Sequence, residues 1–405
     1  MKIAAVIDSP ITSGGGFSQS ASAVRQILRL AGGRHEARVY TTVAANLEPL
    51  RELGIAAAPL RWAPTDMLVS YAARHGGLRA VQVWLKVLGR MERALLRDGI
   101  DLVYFVGPTS KGLALQTLPM ISTVWDVCHL DMPEFPEVRN FNEFALREDY
   151  LAAALPQSVA VLADSRELSD TLVRRYGLDP RRIIAMPFAP GAYLEGGGPD
   201  GDHPEPDAPA GGPGDYLFYP AQFWPHKNHV RVIEAVHLLR QANVQQPVVF
   251  CGHDHGNLAY LKGVARSLGV EDLVTFLGFV PGPELRQLYL RSRAVVFASY
   301  FGPTNLPPLE AWKLQRPLIC ARHLEGHVGA AAMLFDADSA ESLAQAVTRV
   351  RQESIATELV AAGARRLRAL AEERAAAEQQ LQACLDSIER KIRCWHAPGA
   401  GAATK

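Results

Sequence analysis

Short apolar runs alternate along this chain with longer stretches whose apolar residues recur every three or four positions. In the first half the short runs fall at 3–8, 38–42, 102–106, 122–125, 159–163 and 183–186. Helical periodicity fills 19–30, 78–97, 143–155 and 167–176. Short strands separated by helices imply parallel strands covered on both faces, a Rossmann-like layering. Between 195 and 215 the alternation stops, and Gly, Pro, Asp and Ala dominate, as in Gly196-Gly197-Gly198-Pro199. Such a stretch builds no packed core and reads as a linker or loop. Strands are expected again at 216–220, 248–251, 274–277, 294–298 and 317–320, with helices between them, among them 230–240. From 359 to 395 the chain is rich in Ala, Glu, Arg and Leu with no glycine after Gly363, which predicts one or two long helices. The small, polar residues after Pro398 predict a disordered tail.

The predicted fold class is therefore α/β, with two Rossmann-like domains. The first spans 1–194, the linker or loop 195–215 and the second domain 216–370; a C-terminal helix and tail over 371–405 can pack back on the first domain. Two such halves would face each other across a cleft at their strand C-terminal edges, where open α/β sheets bind ligands. The length of 405 residues exceeds one ordinary core. Lys+Arg and Asp+Glu are both 42, so nothing in the charge balance points to nucleic acid. Five scattered cysteines without a Cys-x-x-Cys pair read as reduced thiols. The N-terminus turns polar too quickly for a signal peptide, and no run approaches the ~20 apolar residues of a membrane-spanning helix. The expected location is the cytoplasm, or peripherally the inner face of the plasma membrane.

Three segments offer chemistry. After the first strand come Gly14-Gly15-Gly16-Phe17-Ser18 and a helix, where Gly15 and Gly16 let backbone N–H groups approach a phosphate or an acceptor hydroxyl. A loop that merely needs positive φ explains the same glycines. The second segment runs from Phe218 through Gln222-Phe223-Trp224-Pro225-His226-Lys227-Asn228. It places Lys227 at a strand end beside a helix N-terminus, where an ammonium neutralises a diphosphate leaving group; a solvated loop charge is the alternative. The third, Ser299-Tyr300-Phe301-Gly302-Pro303-Thr304-Asn305-Leu306-Pro307-Pro308-Leu309-Glu310, leaves a strand and enters a helix through prolines suited to its first turn. Thr304, Asn305 and the N–H of Leu306 are donors for phosphate or hydroxyl groups. Glu310 is placed to accept both hydroxyls of a ribose, or to act as a structural carboxylate near a helix start.

These last two segments resemble nucleotide-sugar-dependent glycosyltransferases of family 4, which have the GT-B fold. The chain is most similar to bacterial polysaccharide and O-antigen transferases of mannose, rhamnose or related sugars. The resemblance extends to Ala163-Asp164-Ser165 and to Gly329-Ala330-Ala331-Ala332-Met333-Leu334-Phe335-Asp336. It departs from the family pattern at Gly302, in the place of a first glutamate whose second is Glu310, and at Gln222, in the place of an arginine. What it implies is transfer with retention of configuration, without a metal or other cofactor. The donor is then a nucleotide-diphosphate sugar such as GDP-mannose, and the acceptor a saccharide or a lipid-linked sugar. A nucleotide-sugar epimerase or a non-catalytic sugar-nucleotide-binding relative shares this architecture.

In the first domain, Ser122-Thr123-Val124-Trp125-Asp126-Val127-Cys128-His129 ends a strand. Family members commonly carry a His-Asp pair here; this chain has Trp125 in the histidine's place, keeps Asp126, and offers His129. The resemblance makes Asp126 and His129, with Lys227, the catalytic candidates, while a buried strand-end carboxylate is the plainer reading of Asp126. Histidines at 226, 229, 253 and 255 offer no complete ligand set for a metal, and no Asp-x-Asp stretch ends an expected strand. Finally, Arg79, Lys86, Arg90, Arg93 and Arg97 fall on one stripe of the helix expected over 78–97, opposite Trp84, Leu88, Met91 and Leu95. A solvated charged face explains the stripe, as does attraction to anionic lipid.

Overall fold

The computed structural model describes residues 1–191, 194, 215–302 and 304–395. The linker or loop expected over 195–215 lies, but for Asp215, outside the described residues, as does the tail after Pro398. Seven strands form one parallel sheet: β1 (Lys2–Ile7), β2 (Glu36–Thr41), β3 (Ala57–Pro59), β4 (Leu102–Phe105), β5 (Met120–Val124), β6 (Ala160–Ala163) and β7 (Ile183–Ala185). Their order is β3-β2-β1-β4-β5-β6-β7. A second parallel sheet, ordered β10-β9-β8-β11-β12-β13, holds β8 (Leu217–Pro220), β9 (Val248–Cys251), β10 (Val274–Phe276), β11 (Ala294–Phe297), β12 (Leu318–Ala321) and β13 (Met333–Phe335). The central strands are continuous apolar runs because both faces are covered; β4, β9, β11 and β12 are buried at every residue. The two strands absent from the sequence expectation, β3 and β13, are three-residue edge strands. Neither Ala57-Ala58-Pro59 nor Met333-Leu334-Phe335 holds a β-branched residue, whereas the expected three-residue edge strands β7 and β10 do.

Contacts divide the chain into two compact units. One holds Met1–Val127, Asn142–Pro187 and the chain from Glu373; the other holds Cys128–Phe141 and the chain between Phe188 and Glu372. The divisions thus fall after Pro187 and Glu372, where the sequence expectation has 194 and 370. A single helix, Glu353–Ile392, of 40 residues, contributes to both cores. Its Leu359, Ala362 and Leu370 join the core of the second unit. Its Ala377, Leu381, Leu385, Ile388 and Ile392, spaced at helical period, join the core of the first. Around that second half, Gln26 Nε2 donates to Glu378 at 2.8 Å, Arg34 pairs with Glu389 at 3.0 Å and His35 lies 3.2 Å from Asp386.

The helix expected over 78–97 is two helices, Gly76–Leu85 and Arg90–Arg97. The break has a definite cause. Asp66 Oδ1 accepts the N–H of Met91 at 2.9 Å and so caps a new helix start, while Gly89 lies so close that a Cβ there would stand 2.2 Å from the same oxygen. Lys86 takes a left-handed φ of 48° in the link. The single basic stripe therefore does not exist: Met91 and Leu95 are buried, but Trp84 is 80% exposed. Likewise the first helix begins at Gly15 rather than near 19, because Gly14, at φ 59°, forms its N-cap.

Truncating Leu381, which is fully buried in the first unit, tests the helix's contribution to that core. Leu381→Ala is expected to cost about 2–5 kcal/mol, read as a lower urea midpoint. An unchanged midpoint would mean that this half of the helix carries no core.

Candidate active site

In the second sheet β8 has β9 on one side and β11 on the other, so consecutive crossovers leave β8 and β11 in opposite directions. At such a switch point the loops beyond the two strand ends open a crevice. The loop after β8 tightens into a turn at Pro225–Lys227, and Asn228 takes a left-handed φ of 56° before the helix His229–Gln241. Two bonds hold this turn: Tyr219 Oη donates to the Lys227 carbonyl at 2.7 Å, and Asn228 Nδ2 donates to the Ala337 carbonyl at 2.8 Å. The half-buried Lys227 side chain then reaches the loop after β11, with Nζ 3.5 Å from Ser299 Oγ and 5.3 Å from the Phe297 ring centroid.

Beyond Ser299 the chain turns at Gly302, whose φ is 108°. Asn305 Nδ2 donates to the Gly302 carbonyl at 3.3 Å, and Asn305 is the extended N-cap of the helix Leu306–Lys313. Thr304 is buried. The structure thus brings Lys227, Ser299, Gly302 and Asn305 to one region of the second unit. His323, an exposed residue, marks the same spot. Desolvation pushes the imidazole down to about 4, helped by the Lys227 charge and opposed by a hydrogen bond with the Gly302 backbone. Gln222 Oε1 accepts from Trp224 Nε1 at 3.1 Å. Glu310 lies deeper: it is 4% exposed and accepts from Tyr289 Oη at 2.5 Å.

Gly302 is a departure with a physical reason. A Cβ at that position would stand 2.7 Å from Asn305 Nδ2, so the Asn305 amide occupies the space a side chain would need. Sequence reasoning also missed Glu137, on the short helix Pro136–Arg139 of the segment that packs in the second unit. Its Oε1 accepts from the His226 backbone N–H at 3.1 Å and pairs with the His226 ring, which stacks on Phe301 at 4.0 Å. Burial pulls the Glu137 carboxyl up, but these bonds to His226 outweigh it and hold it below its ordinary value. No local signal announces a partner 89 residues away.

The other histidines of these loops each pack on an aromatic ring. His229 packs on Tyr219 and Phe223, and burial pushes its imidazole down to about 3. His253 stacks on Phe279 and His255 on Trp224. One expectation needs correcting: Asp336-Ala337-Asp338 does follow a strand end, because β13 was not foreseen. Both carboxylates serve turn structure, Asp336 Oδ1 accepting the Asp338 N–H at 3.0 Å and Asp338 Oδ1 accepting Tyr300 Oη at 2.8 Å.

The switch point of the first sheet lies between β1 and β4. There Asp8 accepts from Thr42 Oγ1, Thr109 Oγ1 and Lys111 Nζ, and Lys111 Nζ sits 5.5 Å from the Trp62 ring centroid. Thr109 and Lys111 were legible only as residues just past an expected strand. Gly15 and Gly16 begin the neighbouring helix, and a Cβ at Gly16 would meet the Trp125 ring at 3.3 Å. Gly15 and Gly16 belong to the first unit, and the other expected donor residues to the second. Asp126 Oδ1 accepts from Arg147 Nη2 at 2.6 Å in that unit, while His129 is fully buried in the second.

With this geometry in hand, residues 208–367 match the family Glycosyl transferases group 1. The second unit is a group 1 glycosyl transferase domain. It makes the chain a glycosyltransferase. A curated relative, the O-antigen chain mannosyltransferase B of Escherichia coli, is 23% identical over 306 residues, covering 72% of this chain and 78% of the relative. Among solved structures, Anabaena Alr3699/HepE in complex with UDP and glucose is similar at 16% identity and a TM-score of 0.66, over 96% of this chain and 100% of that one. Sucrose-phosphate synthase from Thermosynechococcus elongatus gives 17% identity and a TM-score of 0.66, over 98% and 100%. These likenesses carry the fold, which is GT-B.

Two substitutions probe this glycosyltransferase domain. Gly302→Glu is expected to destabilise by about 1–3 kcal/mol and to lower turnover, since φ is positive and Asn305 must move. A gain in activity would contradict the packing described. Glu137→Gln removes a group whose folded value is lowered, so its stabilisation is present at neutral pH and fades as pH falls through that value. The melting-temperature gap between wild type and variant should therefore shrink below about pH 4. A gap of constant size would assign Glu137 a purely steric role.

Proposed function

We propose that the enzyme moves a hexose, mannose- or rhamnose-like, from a nucleotide-diphosphate sugar to a saccharide or lipid-linked acceptor during cell-surface polysaccharide synthesis. One observation carries the reading: Lys227 and the turn from Ser299 to Asn305 meet at the switch point of a group 1 glycosyl transferase domain. Departure of a nucleoside diphosphate builds negative charge on its terminal phosphate. A fixed ammonium beside hydroxyl and amide donors stabilises that charge without reorganising at the moment of reaction. The E. coli relative supports a mannose-type sugar and a surface polysaccharide, and the UDP and glucose complex supports a nucleotide-sugar donor.

In this reading Lys227, Thr304, Asn305 and the Leu306 N–H hold the diphosphate. Glu310, positioned by Tyr289, faces the ribose, and Gln222 lines the donor site. Asp126 and the Gly14–Gly16 turn serve the acceptor, together with Asp8 and Lys111 at the switch point of the first sheet. The transfer retains configuration and uses no metal or cofactor beyond the donor itself: the departing phosphate oxygen takes the proton of the incoming hydroxyl, and no protein nucleophile is needed. Exclusion of water during the transfer suppresses donor hydrolysis. The enzyme works at the cytoplasmic side of the membrane; among the described residues no helix is long and apolar enough to cross one.

Lys227→Ala should lower turnover by about 10²-fold or more. Turnover near that of wild type would remove Lys227 from the chemistry. A melting-temperature screen of nucleotide-diphosphate sugars identifies the donor, because a ligand bound only by the folded state raises the midpoint. The best donor is then incubated alone and with acceptors in EDTA. Transfer in EDTA supports the proposal, whereas epimerised sugar without acceptor, or activity restored only by a divalent cation, would replace it.

A further inference from the structure

Two consecutive helices of the first unit are inside out for water. On Pro64–Arg74, Met67, Leu68 and Tyr71 are 59%, 63% and 47% exposed. On Gly76–Leu85, which packs against it, Val81, Trp84 and Leu85 are 53%, 80% and 55% exposed. Gln82 of the same helix is 7% exposed, and neither atom of its amide has a hydrogen-bond partner. Burying an unbonded amide costs free energy, and so does leaving a tryptophan in water. A surface helix in a soluble protein has the opposite arrangement.

Along 61–97 the exposed charges have one sign. Between 61 and 97 the only acidic residues are Asp66 and Glu92, both fully buried. Asp66 accepts the N–H groups of Ala63 and Met91, and Glu92 those of Gln116, Thr117 and Leu118. What remains at the surface is Arg61, Lys86, Arg90, Arg93 and Arg97. A second copy of the chain docked face to face would set these cations against their own kind. An anionic bilayer offers acyl chains to the apolar side chains and headgroup charges to the arginines and lysine.

We propose that this face, with Trp84 and Leu68 as its apolar anchors, is the surface by which the protein docks on an anionic membrane. It deepens the proposed function, since a lipid-linked acceptor places the reaction at a bilayer. Docking itself is measured without donor or acceptor, so either idea can fail alone.

The full chain is sedimented with vesicles of phosphatidylcholine, with and without phosphatidylglycerol. Wild type should pellet with the anionic vesicles, less so as salt rises, and poorly with phosphatidylcholine alone. The double variant Leu68→Ser/Trp84→Ser should bind on the order of tenfold more weakly, and Lys86→Glu/Arg90→Glu should lose the preference for phosphatidylglycerol. A cooperative melt and a wild-type circular-dichroism spectrum in each variant show that the fold is intact. Equal vesicle binding by wild type and Leu68→Ser/Trp84→Ser, or none by wild type, would overturn the proposal. So would light scattering that shows a wild-type dimer and a monomeric double variant, which would assign the face to a second copy.

Discussion

The adjacency of β8 and β11 is the constraint on which the site depends. Parallel strands deliver all their following loops to one edge, and a reversal in strand order leaves two of those loops side by side with nothing crossing above them. Everything assigned to the donor hangs from that pair: Lys227 from the loop after β8, and Ser299, Gly302 and Asn305 from the loop after β11. The turn carrying Lys227 is anchored on the buried Tyr219 and on Ala337 past the edge strand β13. An ammonium held this way is aimed before any ligand arrives. The first sheet repeats the device at β1 and β4, where Asp8 gathers Thr42, Thr109 and Lys111.

Four carboxylates act by satisfying other groups. Asp66 caps a helix that starts 24 residues later, and Glu92 binds three successive amides after the same region. Glu137 fastens its own segment to the turn before Lys227. Glu310 is held by Tyr289. Placing the acids inward on backbone N–H groups leaves the outer surface of 61–97 cationic, so a structural economy and the charge of a docking face have the same origin.

Much of the fold was legible because buried parallel strands are apolar runs, and eleven such runs stand out in the sequence. The edge strands β3 and β13 were not, since neither holds a β-branched residue, and with β13 went the Asp336-Ala337-Asp338 turn at its end. Lys227 and Asn305 were legible because each stands at a junction of strand and helix. The Asp8 cluster was not, since it depends on strand order, and a sequence does not state which strands are neighbours. Gly302 could be seen as a missing glutamate but not as the space filled by Asn305. The long helix could be read from its composition, yet the same period continues as its residues pass from one core to the other.

Convergence of Lys227 and Asn305 on one diphosphate is the claim that all of this supports. Calorimetric titration of a nucleoside diphosphate into wild type, Lys227→Ala, Asn305→Ala and the double variant measures it directly. If both side chains grip the same phosphates, the two losses fail to add, with a coupling of about 0.5–3 kcal/mol. Losses that add within about 0.3–0.5 kcal/mol would mean the two residues act at separate places, and the account would fall.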